Sequence, residues 1–134
     1  MTRPYEQRDL KRAAEYVKLY HPKANIVEFQ APLADIRDFE PGTVTLRNIA
    51  TFSRLFPRAD ILIKEGTEWT LVECKSNAQI REIAQLDFYL DALRHDITRR
   101  IPERDVINRV FVTDREDDRI RRACEQRGIK FVVL

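Results

Sequence analysis

The chain has 134 residues, 43% of them hydrophobic and 34% charged, with three glycines and a formal net charge of +2. That length carries one domain with a core of two or three layers, and the composition excludes a disordered or fibrous chain. A charge so near balance excludes nucleic-acid binding by bulk electrostatics and leaves only a local surface for it, such as Arg94 to Lys130, where eleven Lys or Arg stand against eight Asp or Glu.

The opening stretch MTRPYEQRDLKRAAEYV has neither the apolar run of a signal peptide nor a membrane span, so a cytoplasmic protein with no membrane partner is expected. Residues 6–20 predict a helix whose stripe is Leu10, Ala13, Ala14, Val17 and Tyr20, stopped by His21-Pro22. Glu6 falls on that stripe and Glu15 points away from it; an acid at Glu6 suits either the positive helix end or a functional role. Residues 25–30 suit a strand, whereas 31–57, broken by Pro32, Pro41 and Gly42, read as an insertion in which Leu46, Ile49, Phe52 and Phe56 fit a short helix only loosely.

RADILIK and EWTLVECK then predict a β-hairpin turning at Glu65-Gly66. Residues 79–97 predict a helix through Ile83, Leu86, Leu90, Leu93 and Ile97; 109–113 a strand; 115–127 a helix closed by Gly128; and 129–134 a last strand. The order α-β-β-β-α-β-α-β, with a parallel crossover from 70 to 113, predicts one α/β domain over 1–134: a mixed sheet with helices on both faces. Cys74 falls in a strand and Cys124 in a helix, with no CxxC spacing and no neighbouring histidine. Buried free thiols are therefore expected, and neither zinc nor an iron–sulfur cluster.

The chemistry concentrates in LVECKSN, residues 71–77. Alternation puts Glu73 and Lys75 on one face of the strand, and Asp60 joins that face in either of two hairpin registers. If Lys64 pairs with Thr67, Asp60 lies diagonal to Glu73; if Lys64 pairs with Trp69, Asp60 faces Glu73 directly, so the α-carbons are about 4.5–8 Å apart. Two carboxylates that close repel unless a cation lies between them, and oxygen ligands suit a hard ion, Mg²⁺ or Mn²⁺. Lys75 would then orient or deprotonate a water, or stabilise charge on a phosphate. An ion-pair cluster of Arg58, Asp60, Glu73 and Lys75 at a sheet edge is the alternative with no chemistry. One helical turn apart on the following helix, Gln85 and Tyr89 could reach together toward a ligand, as could any ordinary surface pair.

From RADILI through LVECK the chain resembles the PD-(D/E)xK nuclease superfamily, and QLDFY resembles the Q-xxx-Y helix of its RecB-like exonuclease branch, which includes the CRISPR-adaptation exonucleases. The motifs cover about residues 55–95, and the order of elements covers the chain. The resemblance implies a restriction-endonuclease-like fold and hydrolysis of DNA phosphodiester bonds, in a setting of DNA repair or recombination. It also implies a Mg²⁺ or Mn²⁺ ion on Asp60 and Glu73, Lys75 assisting the attacking water, and Gln85 and Tyr89 contacting DNA or building the site. Members often add an acid from the first helix, for which Glu6 is the first candidate, Glu15 the second and His21 the third. The usual PD is here PRAD, with Pro57 three residues before Asp60, and the cluster-binding cysteines of some RecB-like enzymes are missing.

The chain has no helicase domain, so unwinding would come from a helicase-type partner. Holliday-junction resolvases, which share the fold and are homodimers, are the close variant; a nuclease-fold module that binds DNA or protein without cutting is the reading from another class. Phosphate contacts are expected from Arg58, Lys64, Arg81 and arginines between 94 and 122, since a guanidinium fork matches phosphate oxygens.

Overall fold

A computed structural model of the chain describes residues 4–134, without the side chains of residues 4–7 and 54. Its elements are α1 (Pro4–Tyr20), β1 (Ile26–Pro32), α2 (Leu46–Phe52), β2 (Arg58–Glu65), β3 (Glu68–Cys74), α3 (Ile80–Arg94), β4 (Val106–Thr113), α4 (Asp118–Gln126) and β5 (Lys130–Val133). Short 3-10 turns at Ile36–Asp38 and Ser53–Leu55 flank α2. The sheet runs β1-β2-β3-β4-β5, antiparallel across the first three strands and parallel across the last three.

Strands β2 and β3 are apolar without alternation because both faces of the sheet are covered. On one face Ala13 and Tyr16 of α1 meet Ile61, Ile63, Val72, Cys74, Val110 and Val112. On the other, Ile83, Leu86 and Leu93 of α3 and Ile120 and Cys124 of α4 meet Leu62, Leu71 and Phe111. Both cysteines are free and buried, as expected. Among the described residues no helix is long and apolar enough to cross a membrane.

Several local expectations shift. Helix α1 is rotated: Leu10 and Tyr20 are exposed and Ala14 faces solvent, while Tyr16, 1% exposed, is the anchor. Its hydroxyl is hydrogen-bonded to His21 Nε2 at 2.9 Å, which makes a polar-tipped residue cheap to bury. Helix α3 stops at Arg94 instead of 97, where the His95 N–H turns back to the Ala92 and Leu93 carbonyls. Helix α4 starts at 118 instead of 115, because the Asp117 carboxylate takes the Arg119 and Ile120 N–H groups. The hairpin turns on Gly66-Thr67, with Gly66 at φ +61°, and pairs Lys64 with Trp69, the second of the two registers.

The insertion is tied to the α3–β4 loop by a buried carboxylate. Asp96, 3% exposed, accepts from Ala34 N–H, Thr98 N–H and hydroxyl, and Arg99. Arg99 also reaches Glu28 at 2.7 Å and the Pro32 carbonyl at 2.8 Å. Asp96→Ala leaves the Arg99 guanidinium with Glu28 as its one remaining acid and strips the Ala34 and Thr98 N–H groups of their acceptor, and is expected to cost about 3 kcal/mol, or roughly 10 °C in thermal melts. A shift within about 1 °C would mean that water replaces the carboxylate without loss.

Candidate functional site

Continuing the β2–β3 register one step past Ile61↔Val72 sets Asp60 opposite Glu73. Here side chains replace the backbone ladder. The Asp60 N–H donates to Glu73 Oε1 at 3.2 Å, and the Cys74 N–H donates to Asp60 Oδ2 at 2.8 Å. Glu73 is 2% exposed, so burial, then the neighbouring Asp60 charge, pushes its carboxyl up to about 8 from 4.5. Burial likewise raises Asp60, against the lowering effects of the Cys74 N–H and Lys75.

Lys75 follows the end of β3 and donates its N–H to the Val112 carbonyl at 3.0 Å, so β4 fixes its place. Burial pulls its ammonium down, but Asp60, Glu73, Glu82 and Asp9 together outweigh that and leave it raised. Against these four acids stand the Lys75 ammonium and the Arg12 guanidinium that pairs with Asp9. A divalent cation would correct that imbalance, and the donor set is carboxylate oxygen, the chemistry of a hard ion.

Two of those acids had no part in the sequence reading. Asp9 of α1 accepts from Ser76 Oγ at 2.9 Å and from Arg12 at 3.1 Å, and its charge acts on Asp60, Lys75 and Glu82. It precedes Ala13 by one turn, on the face that α1 does bury. Glu82 of α3, raised by burial, lies three residues before Gln85 and seven before Tyr89, the spacing of one helix face. That shared face was the available signal. Tyr89 is pushed up to about 12 by burial, then by Glu73 and Asp60, which places its hydroxyl in the field of the carboxylates; Gln85 is exposed beside it.

Other expected residues stand elsewhere. Glu6 lies in α1, with its side chain outside the described residues; Glu15 is exposed. His21 bonds Tyr16 and, at 2.5 Å, Glu65 at the hairpin end. Arg58 donates to the Gln30 and Ser53 carbonyls at 3.0 and 3.2 Å, so its guanidinium clasps backbone. Lys64 sits 5.1 Å from the Trp69 ring centre, four residues and about 13 Å along the strand from Asp60. Arg81 is exposed on the first turn of α3.

A second acidic group, Asp35, Asp91 and His95, has the spacing to hold an ion. The Arg37 guanidinium already fills it, 2.6 Å from Asp35 and 2.5 Å from Asp91, and an ion would have to displace it. A cavity of about 590 Å³ among Phe39, Phe52, Leu55 and Phe56 touches none of the acids around Lys75.

No family model matches the chain, and no curated protein sequence does. The structure is similar to the crystal structure of a repair endonuclease from Pyrococcus abyssi, with a TM-score of 0.53 and 13% sequence identity. The likeness covers 100% of this chain and 49% of that one, so the chain spans about half the neighbour's length. With its five-strand mixed sheet flanked by helices, the chain has a nuclease fold of the restriction-endonuclease-like kind.

Proposed function

We propose that the chain is a divalent-metal-dependent nuclease of the PD-(D/E)xK type, on the RecB-like branch, that hydrolyses DNA phosphodiester bonds. One observation carries this reading: Asp60 and Glu73 meet across β2 and β3 at the open end of the hairpin with Lys75 following directly after β3, and burial, then the Asp60 charge, drives Glu73 up to about 8. Asp60 and Glu73 would hold Mg²⁺ or Mn²⁺, with Asp9 as the acid from the first helix in place of Glu6. The ion supplies a Lewis acid for the phosphoryl oxygen and lowers the pKa of water. Lys75 brings a fixed positive charge to the phosphate and a donor to orient the attacking water. Gln85 and Tyr89, on the face of α3 shared with Glu82, would touch the DNA strand; that shared face supports the RecB-like branch. Arg81 and the exposed arginines of α4 are the phosphate contacts best placed for the role, whereas Arg58 and Lys64 already have other partners.

The test is cleavage of linear, single-stranded, flapped and four-way-junction DNA with and without Mn²⁺ or Mg²⁺, against Glu73→Ala. Metal-dependent cutting that vanishes in the variant is expected. Junction cutting by a homodimer would select the resolvase-like form of the same chemistry. Binding of these substrates without any cutting would select the non-cleaving module instead.

A further inference from the structure

Strand β1 keeps one register with β2 along its length, Phe29 against Ile61 and Ala31 against Ala59, yet the pair between them, Gln30 with Asp60, is missing from the ladder. Gln30 stands at φ +53°, a left-handed conformation that a side chain adopts at a cost and glycine adopts freely. Apart from glycines, the one other described residue at positive φ is Arg100, in the α3–β4 loop. Arg58 holds the strained backbone in place: its guanidinium takes the Gln30 carbonyl at 3.0 Å and the Ser53 carbonyl at 3.2 Å. The result is an exposed side-chain amide aimed at Asp60. Gln30 Nε2 lies 3.4 Å from Asp60 Oδ1, while Oδ2 of the same carboxylate is held by the Cys74 N–H.

Backbone strain held by neighbours and directed at an acid is a pattern of functional sites. We infer that Gln30 is a positioning residue that fixes the rotation of the Asp60 carboxylate by holding Oδ1 from β1 while the Cys74 N–H holds Oδ2 from β3, so that a divalent ion meets a ligand already oriented. The inference rests on the reading of Asp60 as a metal ligand. Outer partners that orient a ligating carboxylate typically change metal affinity 10- to 100-fold when removed. A glycine here would relieve the strain but offer no amide, and Arg58 is thereby assigned to the frame of the site in place of the substrate surface.

Two variants test this. Gln30→Gly removes amide and strain together; Gln30→Met keeps length and strain and removes only the amide. Titration calorimetry of the metal-free protein with MnCl₂ is expected to show about tenfold weaker binding in both. Melting temperature in Gln30→Gly should be unchanged or higher, and on linear DNA kcat should fall at saturating Mn²⁺ with KM for DNA unchanged. Wild-type Mn²⁺ affinity in both variants overturns the role of Gln30 and leaves the metal site standing. Failure of the wild-type protein to bind Mn²⁺ overturns the metal site and Gln30 with it. Weaker binding accompanied by a lower melting temperature in Gln30→Gly also overturns the inference, since the residue would then act through the fold.

Discussion

Glu73→Gln is expected to lower kcat on DNA at least about a thousandfold, equivalent to about 4 kcal/mol of transition-state stabilisation, and to stabilise the metal-free fold at pH 8–9. The two effects have one cause. Glu73 is buried opposite Asp60, and its carboxyl is pushed up to about 8. In the unfolded chain it titrates near 4.5. Between those values the folded protein binds more protons than the unfolded chain, so stability falls as pH rises from about 4.5 and the fall is complete above about 8. The loss is on the order of a few kcal/mol, discounted for water entering the pocket. Glutamine keeps the acceptor that the Asp60 N–H uses and has no charge to bury.

Thermal melts of metal-free protein at pH 5 and pH 9 check this. Wild type should melt lower at pH 9, and Glu73→Gln should lose most of that difference, with a remainder from Asp60, whose carboxyl is also raised. Saturating Mn²⁺ should restore the wild type at pH 9 and leave the variant unmoved, because an ion that binds only the folded state stabilises it by mass action and displaces the proton from its ligand. Equal melting of wild type and variant at both pH values would show that Glu73 is solvated and unstrained, and the pocket would lose its reason to take a cation.

The hairpin and its acids were legible because strand alternation is strict: Asp60 shares a face with Leu62 and Glu73 with Leu71, and either of the two hairpin registers brings those faces together. Which register joined them was not legible, since Glu65-Gly66-Thr67 accommodates two turns and the choice lies in the left-handed Gly66. The face of α1 was read in part: Ala13 and Val17 do pack inward, but an apolar count favours Leu10 over Tyr16. Burial instead follows the hydrogen bond from Tyr16 to His21 and the ion pairs of Arg12 with Asp9 and Asp114. Asp9 was lost with that face. Residues 31–57 gave no period because their helices run three and seven residues, too short for a stripe to repeat. Gln30 had no sequence signature at all: a positive φ announces itself in glycine or asparagine, and here it falls on a glutamine whose carbonyl accepts from Arg58 of the neighbouring strand.

Lys75→Met is expected to lower kcat about 10²- to 10³-fold while leaving Mn²⁺ affinity equal or tighter. In the metal-free site the ammonium is the counter-charge to Asp60, Glu73, Glu82 and Asp9, and these acids hold it charged despite its burial. A group so held is a poor proton acceptor near neutral pH and a good hydrogen-bond donor, so in the proposed reaction it would contribute charge and orientation. A divalent ion arriving among the same carboxylates competes with the ammonium for them, and removal of the lysine relieves that competition. Lys75→Arg separates the two remaining roles: a guanidinium keeps the charge at every accessible pH but cannot serve as a base, and retention of at least about a tenth of wild-type kcat would assign lysine the role of donor. Loss of turnover with loss of binding at Glu73, against loss of turnover with binding intact at Lys75, is the split that a metal-dependent hydrolase requires. Wild-type turnover in Lys75→Met would remove the lysine from the reaction and leave its charge as a structural counter-ion to the neighbouring acids.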